Sequence, residues 1–261
     1  MGRFTFEKPP LVEALCEFRF AGGETWDWTV PGRFYGSIAL EYPFREEQKF
    51  VSVQMTPTEG GVSSGVQGGI ERLLFRSAQG NQVVQVGPEF LSVHQTAPYS
   101  HWDDFKAEIQ RVLQFYWEAA KPGFIVGLSL RYINNVPLFM PKVQWEDLFA
   151  IMPNIPDSKD DQWLDWAQRV AVARPQHGAV LVVQSGTIMN ANASPENEGE
   201  AKVSVLLDFN FVHLGEQPLF LSVVPQWLET AHDEVESMFE KSLTAQSKQL
   251  LGYKENHEAN S

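Results

Sequence analysis

Apolar and polar residues alternate with a period of two from Leu11 onward. Val12, Ala14, Cys16, Phe18 and Phe20 share one side, while Glu13, Leu15, Glu17 and Arg19 share the other. This pattern predicts a half-buried strand whose first set faces a core. Gly22-Gly23 breaks it, and Thr29-Val30-Pro31 opens a short helix to about Leu40, because proline suits a first helical turn. Residues 50–55 read as a strand, and the Gly- and Ser-rich residues 58–69 as a flexible loop. Residues 72–77, 82–86 and 90–95 read as a meander, with turns at Gln79-Gly80-Asn81 and Gly87-Pro88. Ser100 and Asp103 form a capping box for a long helix. Its apolar stripe is Trp102, Phe105, Ile109, Val112 and Tyr116, and Lys121-Pro122-Gly123 ends it.

The same order then returns. Residues 124–138 predict a strand with Val126, Leu128, Leu130 and Tyr132 on one face, followed by a short helix at 145–151 closed by Pro153 and Pro156. Strands follow at 167–173 and 179–185, then a loop at 190–200, then a long strand with Val203, Val205, Leu207, Phe209 and Phe211 on one side. A single final helix spans 225–250 on a stripe of Leu228, Ala231, Val235, Met238, Phe239 and Leu243. The expected fold class is α+β: two tandem β-α-β(3-4)-α pseudo-repeats, 1–121 and 122–252, with a frayed tail at 253–261. The two units are expected to fuse into one core, a continuous antiparallel sheet with helices on one face. Their element order is TATA-binding-protein-like or helix-grip-like, a likeness of order that implies nothing about binding DNA.

Composition narrows the function classes. The chain has 8 Trp and 18 Phe among 43% hydrophobic residues, enough for an aromatic-rich core. Its one cysteine, Cys16, excludes an intrachain disulfide framework and fits a reducing compartment. With no leader pattern and no apolar run of about 18–20 residues, the expectation is a cytoplasmic protein that does not enter a membrane. The formal net charge of −13 makes nucleic acid an unlikely ligand, since polyanion binders gain affinity from basic stripes.

Candidate chemistry follows from strand alternation. Glu13, Glu17 and Arg19 share the non-core face of the first strand; Ser129 and Arg131, with Asn135, share that of the strand after the first long helix. If these strands are neighbours, Arg131 offers a two-pronged donor to a carboxylate or phosphate, or it pairs across the sheet with Glu17 or Glu13 and only stabilises it. Trp26 and Trp28 flank Asp27 in a loop and read either as a contact hot spot or as a cap on the core.

Six histidines stand in no zinc spacing, so no metal site and no cofactor is implied. His232 among Asp233, Glu234 and Glu236 reads as part of a solvated acidic helix face rather than a metal site. Asp160, Asp161 and Asp165 interleave with Trp163 and Trp166, a weak acid/base pattern that lacks the cleft glycoside hydrolysis needs. Cys16, on the apolar stripe, reads as buried and inert. No catalytic residue is assigned.

Three segments carry a resemblance to a family. Pro9-Pro10-Leu11-Val12-Glu13-Ala14, Gln85-Val86-Gly87-Pro88 through Tyr99 and Trp102, and Leu130-Arg131-Tyr132-Ile133-Asn134 resemble a sporadically distributed family of uncharacterised bacterial and archaeal proteins of about this length. The resemblance implies a prokaryotic, stand-alone protein and carries over no site, cofactor or activity. The expected role is a non-enzymatic binding or regulatory protein that presents a sheet face or loops to another protein or an anionic small molecule. The alternative is a small-molecule enzyme, hydrolytic in type, with acid/base residues on the same sheet face.

Overall fold

The computed structural model describes residues 4–58, 61–99, 101–138, 145–153, 165–189, 203–215 and 217–255. The chain is a mixed α+β protein built on a large antiparallel sheet. Its strands are β1 (Phe4–Phe6), β2 (Leu11–Gly23), β3 (Phe44–Thr58), β4 (Gly61–Arg76), β5 (Gln82–Gly87), β6 (Phe90–Thr96), β7 (Pro122–Leu138), β8 (Ala167–Arg174), β9 (Ala179–Met189), β10 (Val203–His213) and β11 (Tyr253–Glu255). Helices α1 (Val30–Ile38), α2 (Trp102–Ala120), α3 (Trp145–Leu148), α4 (Val224–Ser242) and α5 (Ala245–Leu251) intervene. Nine strands form one sheet in the order β3-β4-β5-β6-β2-β7-β10-β9-β8, and β1 pairs separately with β11.

The strands β2 and β7 run antiparallel side by side at the middle of this order. The core lies on one face, where Ala14, Cys16, Phe18, Leu130, Leu207, Phe209 and Phe211 meet α1, α2 and α4 through Phe34, Ile109 and Leu228, all completely buried. No described helix is long and apolar enough to cross a membrane.

The expected alternation holds along most of β2 and β7 and fails at two defined points. Val12 is exposed because the β2–β7 register shifts between Leu11 and Glu13. Val126 is likewise exposed, and Ile125 takes its place in the core, because a second shift falls between Arg19 and Phe20, opposite Gly127 and Ile125. An extra residue on one strand reverses the faces beyond it.

Other expectations are corrected. Residues 61–69 are strand, not loop: β3 and β4 pair from Phe44↔Arg76 to Thr58↔Gly61. The N-cap of α2 is His101, in extended conformation and without a side-chain cap bond, whereas Ser100 lies outside the described residues. Asp103 and Asp104 in its first turn still favour the helix dipole. The final helix is two helices. Leu243 turns extended, and Thr244 starts α5 by accepting from the Ser247 N–H at 3.4 Å. Glu255, assigned to the frayed tail, is the end of β11 and pairs with Phe4. The loop expected at 190–200 lies outside the described residues.

Candidate functional site

Side chains that alternate away from the core gather on the other sheet face, which no described helix covers. Pairing of β2 with β7 and of β7 with β10 sets Glu17 opposite Ser129, Leu15 opposite Arg131, and Arg131 opposite Asn210. Glu13, opposite Ile133, and Glu17 with Ser129 therefore stand in the rows on either side of Arg131, and Arg19 stands one row beyond Glu17.

Arg131 is committed to a partner that alternation alone did not nominate. Its Nε donates to Asp208 Oδ1 at 2.8 Å and its Nη2 to Oδ2 at 2.5 Å, and Gln184 Nε2 adds a third donor at 3.1 Å. The Asp208 side chain is only 3% exposed, against 35% for Arg131. Hydrogen bonding to Asp208 raises the guanidinium pKa further, opposed by burial and aided by the more distant Glu13 and Glu17. The fork thus closes on a carboxylate of its own sheet.

Glu13 belongs to a second chain of contacts. Its Oε1 lies 2.8 Å from His94 Nδ1, while His94 Nε2 lies 2.8 Å from Ser92 Oγ and 3.3 Å from Gln85 Nε2. Gln85 Oε1 accepts from Arg72, so its amide nitrogen donates to the ring; this assigns the His94 proton to Nδ1, facing Glu13. The His94 hydrogen bond holds the Glu13 carboxyl below the usual range, against the opposing pull of burial. Serine, histidine and carboxylate here have the spacing of an activated nucleophile with its base and orienting group. Ser92, however, is 1% exposed, and β6 is paired on both sides, so backbone N–H groups around it serve the ladder rather than a developing oxyanion.

At the far end of the face, Arg19 and Arg72 both lie over Phe90, with guanidinium carbons 4.6 and 3.8 Å from the ring centroid. Arg19 Nε also donates to Glu17 at 3.0 Å. Two unpaired acceptors accompany these pairs: Asn135 Oδ1 and Asn210 Oδ1 are buried without a hydrogen-bond partner. Such groups carry a desolvation cost that a partner's donor would relieve.

The loop tryptophans separate. Trp26, partly buried, packs on Tyr116 with ring centroids 6.5 Å apart and so lies against the core as a cap. Trp28 is 59% exposed. His232 is not on a solvated acidic face: it is buried, stacked on Trp102 at 4.2 Å, with Nδ1 3.0 Å from Tyr132 Oη and Nε2 3.8 Å from Glu236. A signal for this existed, since His232 stands four residues after Leu228 and three before Val235 on the buried stripe of α4. Glu234 faces the other way and pairs with Arg174 at 2.8 Å.

Cys16 is buried, and burial pushes its thiol pKa well up. Asp160, Asp161 and Trp163 lie outside the described residues, while Trp166 is buried and Asp165 exposed. Among the described residues no group of three or more His, Cys, Asp or Glu is placed to hold a metal ion. Neither a protein-family model nor a curated protein matches this chain.

Proposed function

We propose that this chain is a non-enzymatic binding protein of a prokaryotic cytoplasm, one that presents the sheet face opposite its described helices to another protein. The observation that carries the reading is Phe90 lying beneath Arg19 and Arg72, in line with Arg131 held by Asp208. Arginine and aromatic groups already fixed by their own neighbours are the composition of an interface hot spot, because little side-chain entropy is left to lose on binding. The net charge of −13 supports a protein over a nucleic acid as the partner.

The same reading takes the two halves as pseudo-repeats in TATA-binding-protein-like or helix-grip-like order, meeting at β2 and β7. In its support, β3 to β6 all lie on one side of that pair and β8 to β10 on the other, and each half contributes a long helix. The likeness to the family of bacterial and archaeal proteins belongs with this proposal.

A photo-crosslinking residue placed at Arg19 or Ser129, in lysate of the encoding organism, should give a discrete protein adduct, whereas one at the exposed helix position Glu118 should not. Equal labelling from both faces, or none from the sheet, sinks the reading. A hydrolytic enzyme is the second reading, favoured by the Ser92–His94–Glu13 row. Covalent labelling of Ser92 by a fluorophosphonate would put it first.

A further inference from the structure

A groove of about 740 Å3 runs between α1 and the edge hairpin β3–β4, on the helix side of the sheet and away from the face described above. It exists because the cover that α1 supplies stops short of the edge. Tyr35 of α1 stacks on Phe75 of β4, centroids 5.2 Å apart and planes within 16°. One strand further out, Arg45 stands opposite Phe75 in the ladder and carries the same face beyond the helix. Leu73 completes the floor, and Trp28 stands at the rim with over half its surface in solvent. Gly32 borders the groove from α1, and a Cβ built there meets nothing within 4 Å, so the helix leaves the space clear.

The charges in the groove are unequal in commitment. Glu46 is held by Arg76 at 3.0 Å. Arg45 has no carboxylate within ion-pair distance among the described residues. Glu47, two positions along the same strand face, has an interaction of its own, which leaves Arg45 as the groove's docking point for an anion. The walls meanwhile offer flat aromatic faces, and the volume lies in the range of small-molecule sites. We infer that this groove binds a planar aromatic small molecule carrying a carboxylate or phosphate, its ring against Tyr35 and Trp28 and its anionic group on Arg45.

The test is a fluorescence titration of the full chain with 1-anilinonaphthalene-8-sulfonate, followed by competition with AMP, with indole-3-carboxylate and with uncharged adenosine. At least one of the two anions should displace the dye, and adenosine should be at least tenfold weaker than AMP wherever AMP competes. Displacement by AMP alone assigns a nucleotide; displacement by indole-3-carboxylate assigns a simpler aromatic acid. Gly32→Trp, which fills the groove from a position with room for a side chain, should abolish dye binding without lowering Tm. Arg45→Gln should weaken the anionic competitor at least tenfold. Should Gly32→Trp fail to fold, Trp28→Ala, at an exposed position, replaces it and should weaken the dye at least fivefold. Wild-type affinity in the Arg45 variant, adenosine matching AMP, or no displacement by either anion overturns the inference. Arg131→Met is expected to leave the titration unchanged, which separates this groove from the sheet face.

Discussion

Arg131 and Tyr132 are consecutive residues of β7 that inhabit different solvents. Arg131 reaches across the face opposite the helices to Asp208, still in contact with water. Tyr132 points under the helices, where its hydroxyl lies 3.4 Å from Tyr99 Oη and 3.0 Å from His232 Nδ1, and burial pushes its pKa well up. Both faces therefore carry polar chains ending in a histidine and a carboxylate: Ser92–His94–Glu13 on one, Tyr132–His232–Glu236 on the other. The open-face chain ends on Glu13, 31% exposed, where water helps to satisfy the carboxylate, whereas Glu236 at the end of the covered chain is 14% exposed. The covered chain relies on neutral hydroxyls and on the stack of His232 against Trp102, because an unpaired charge there costs far more. Packing energy should accordingly dominate the covered face and pair completion the open one.

The largest effect should come from the core side of β10. Phe209→Ala removes a fully buried ring that packs edge-on against Phe239 and should cost about 3–5 kcal/mol, read as a lowered urea midpoint. An equal loss from truncating Val212, the half-buried residue on the other face, would erase the contrast.

Arg131→Met comes next. It strands the Asp208 carboxylate, so about 2–3 kcal/mol is expected, below the full cost of breaking a buried pair because Arg131 is partly hydrated. The double variant Arg131→Met, Asp208→Leu should recover most of that loss. If the single variant costs nothing, the pair is a surface contact and the open face is not organised around it.

Tyr132→Phe removes the hydroxyl shared by Tyr99 and His232 and should cost about 1–2 kcal/mol by chemical denaturation. A stabilised variant would show that the covered polar chain is strain rather than support.

The smallest effect concerns pH. Glu13 is held below its ordinary value of 4.5 by His94, so its contribution is present above that value and lost as pH falls through the lower folded-state pKa. Glu13→Gln should reduce stability by under about 1 kcal/mol at neutral pH and flatten the acid limb of a Tm-against-pH curve. An unchanged acid limb would detach Glu13 from the His94 chain.

Legibility in the sequence followed the range of the interaction. The buried set of β10 was readable from period-two alternation, because that pattern reports a strand's own pleat. Residues 61–69 misled because side-chain composition suggested a loop, whereas the ladder with β3 is made by backbone groups that glycine supplies as well as any residue. The break after α4 did have a local sign, Thr244 three residues before Ser247, overridden by the continuing apolar stripe of α4.

Glu13, Glu17, Arg19, Ser129 and Arg131 were placed on one face by alternation, a property of consecutive peptide units that needs no partner. Which acid Arg131 meets was decided only when β10 came to lie beside β7, 77 residues further along the chain, with Asp208 one row from Arg131 and reached diagonally. The same holds for Val12 and Val126, whose side chains follow register shifts between two strands and not the pattern within either. Local periodicity sets what a strand can show to each side. Register across the sheet, fixed by packing every strand against the same core, decides which of those side chains meet.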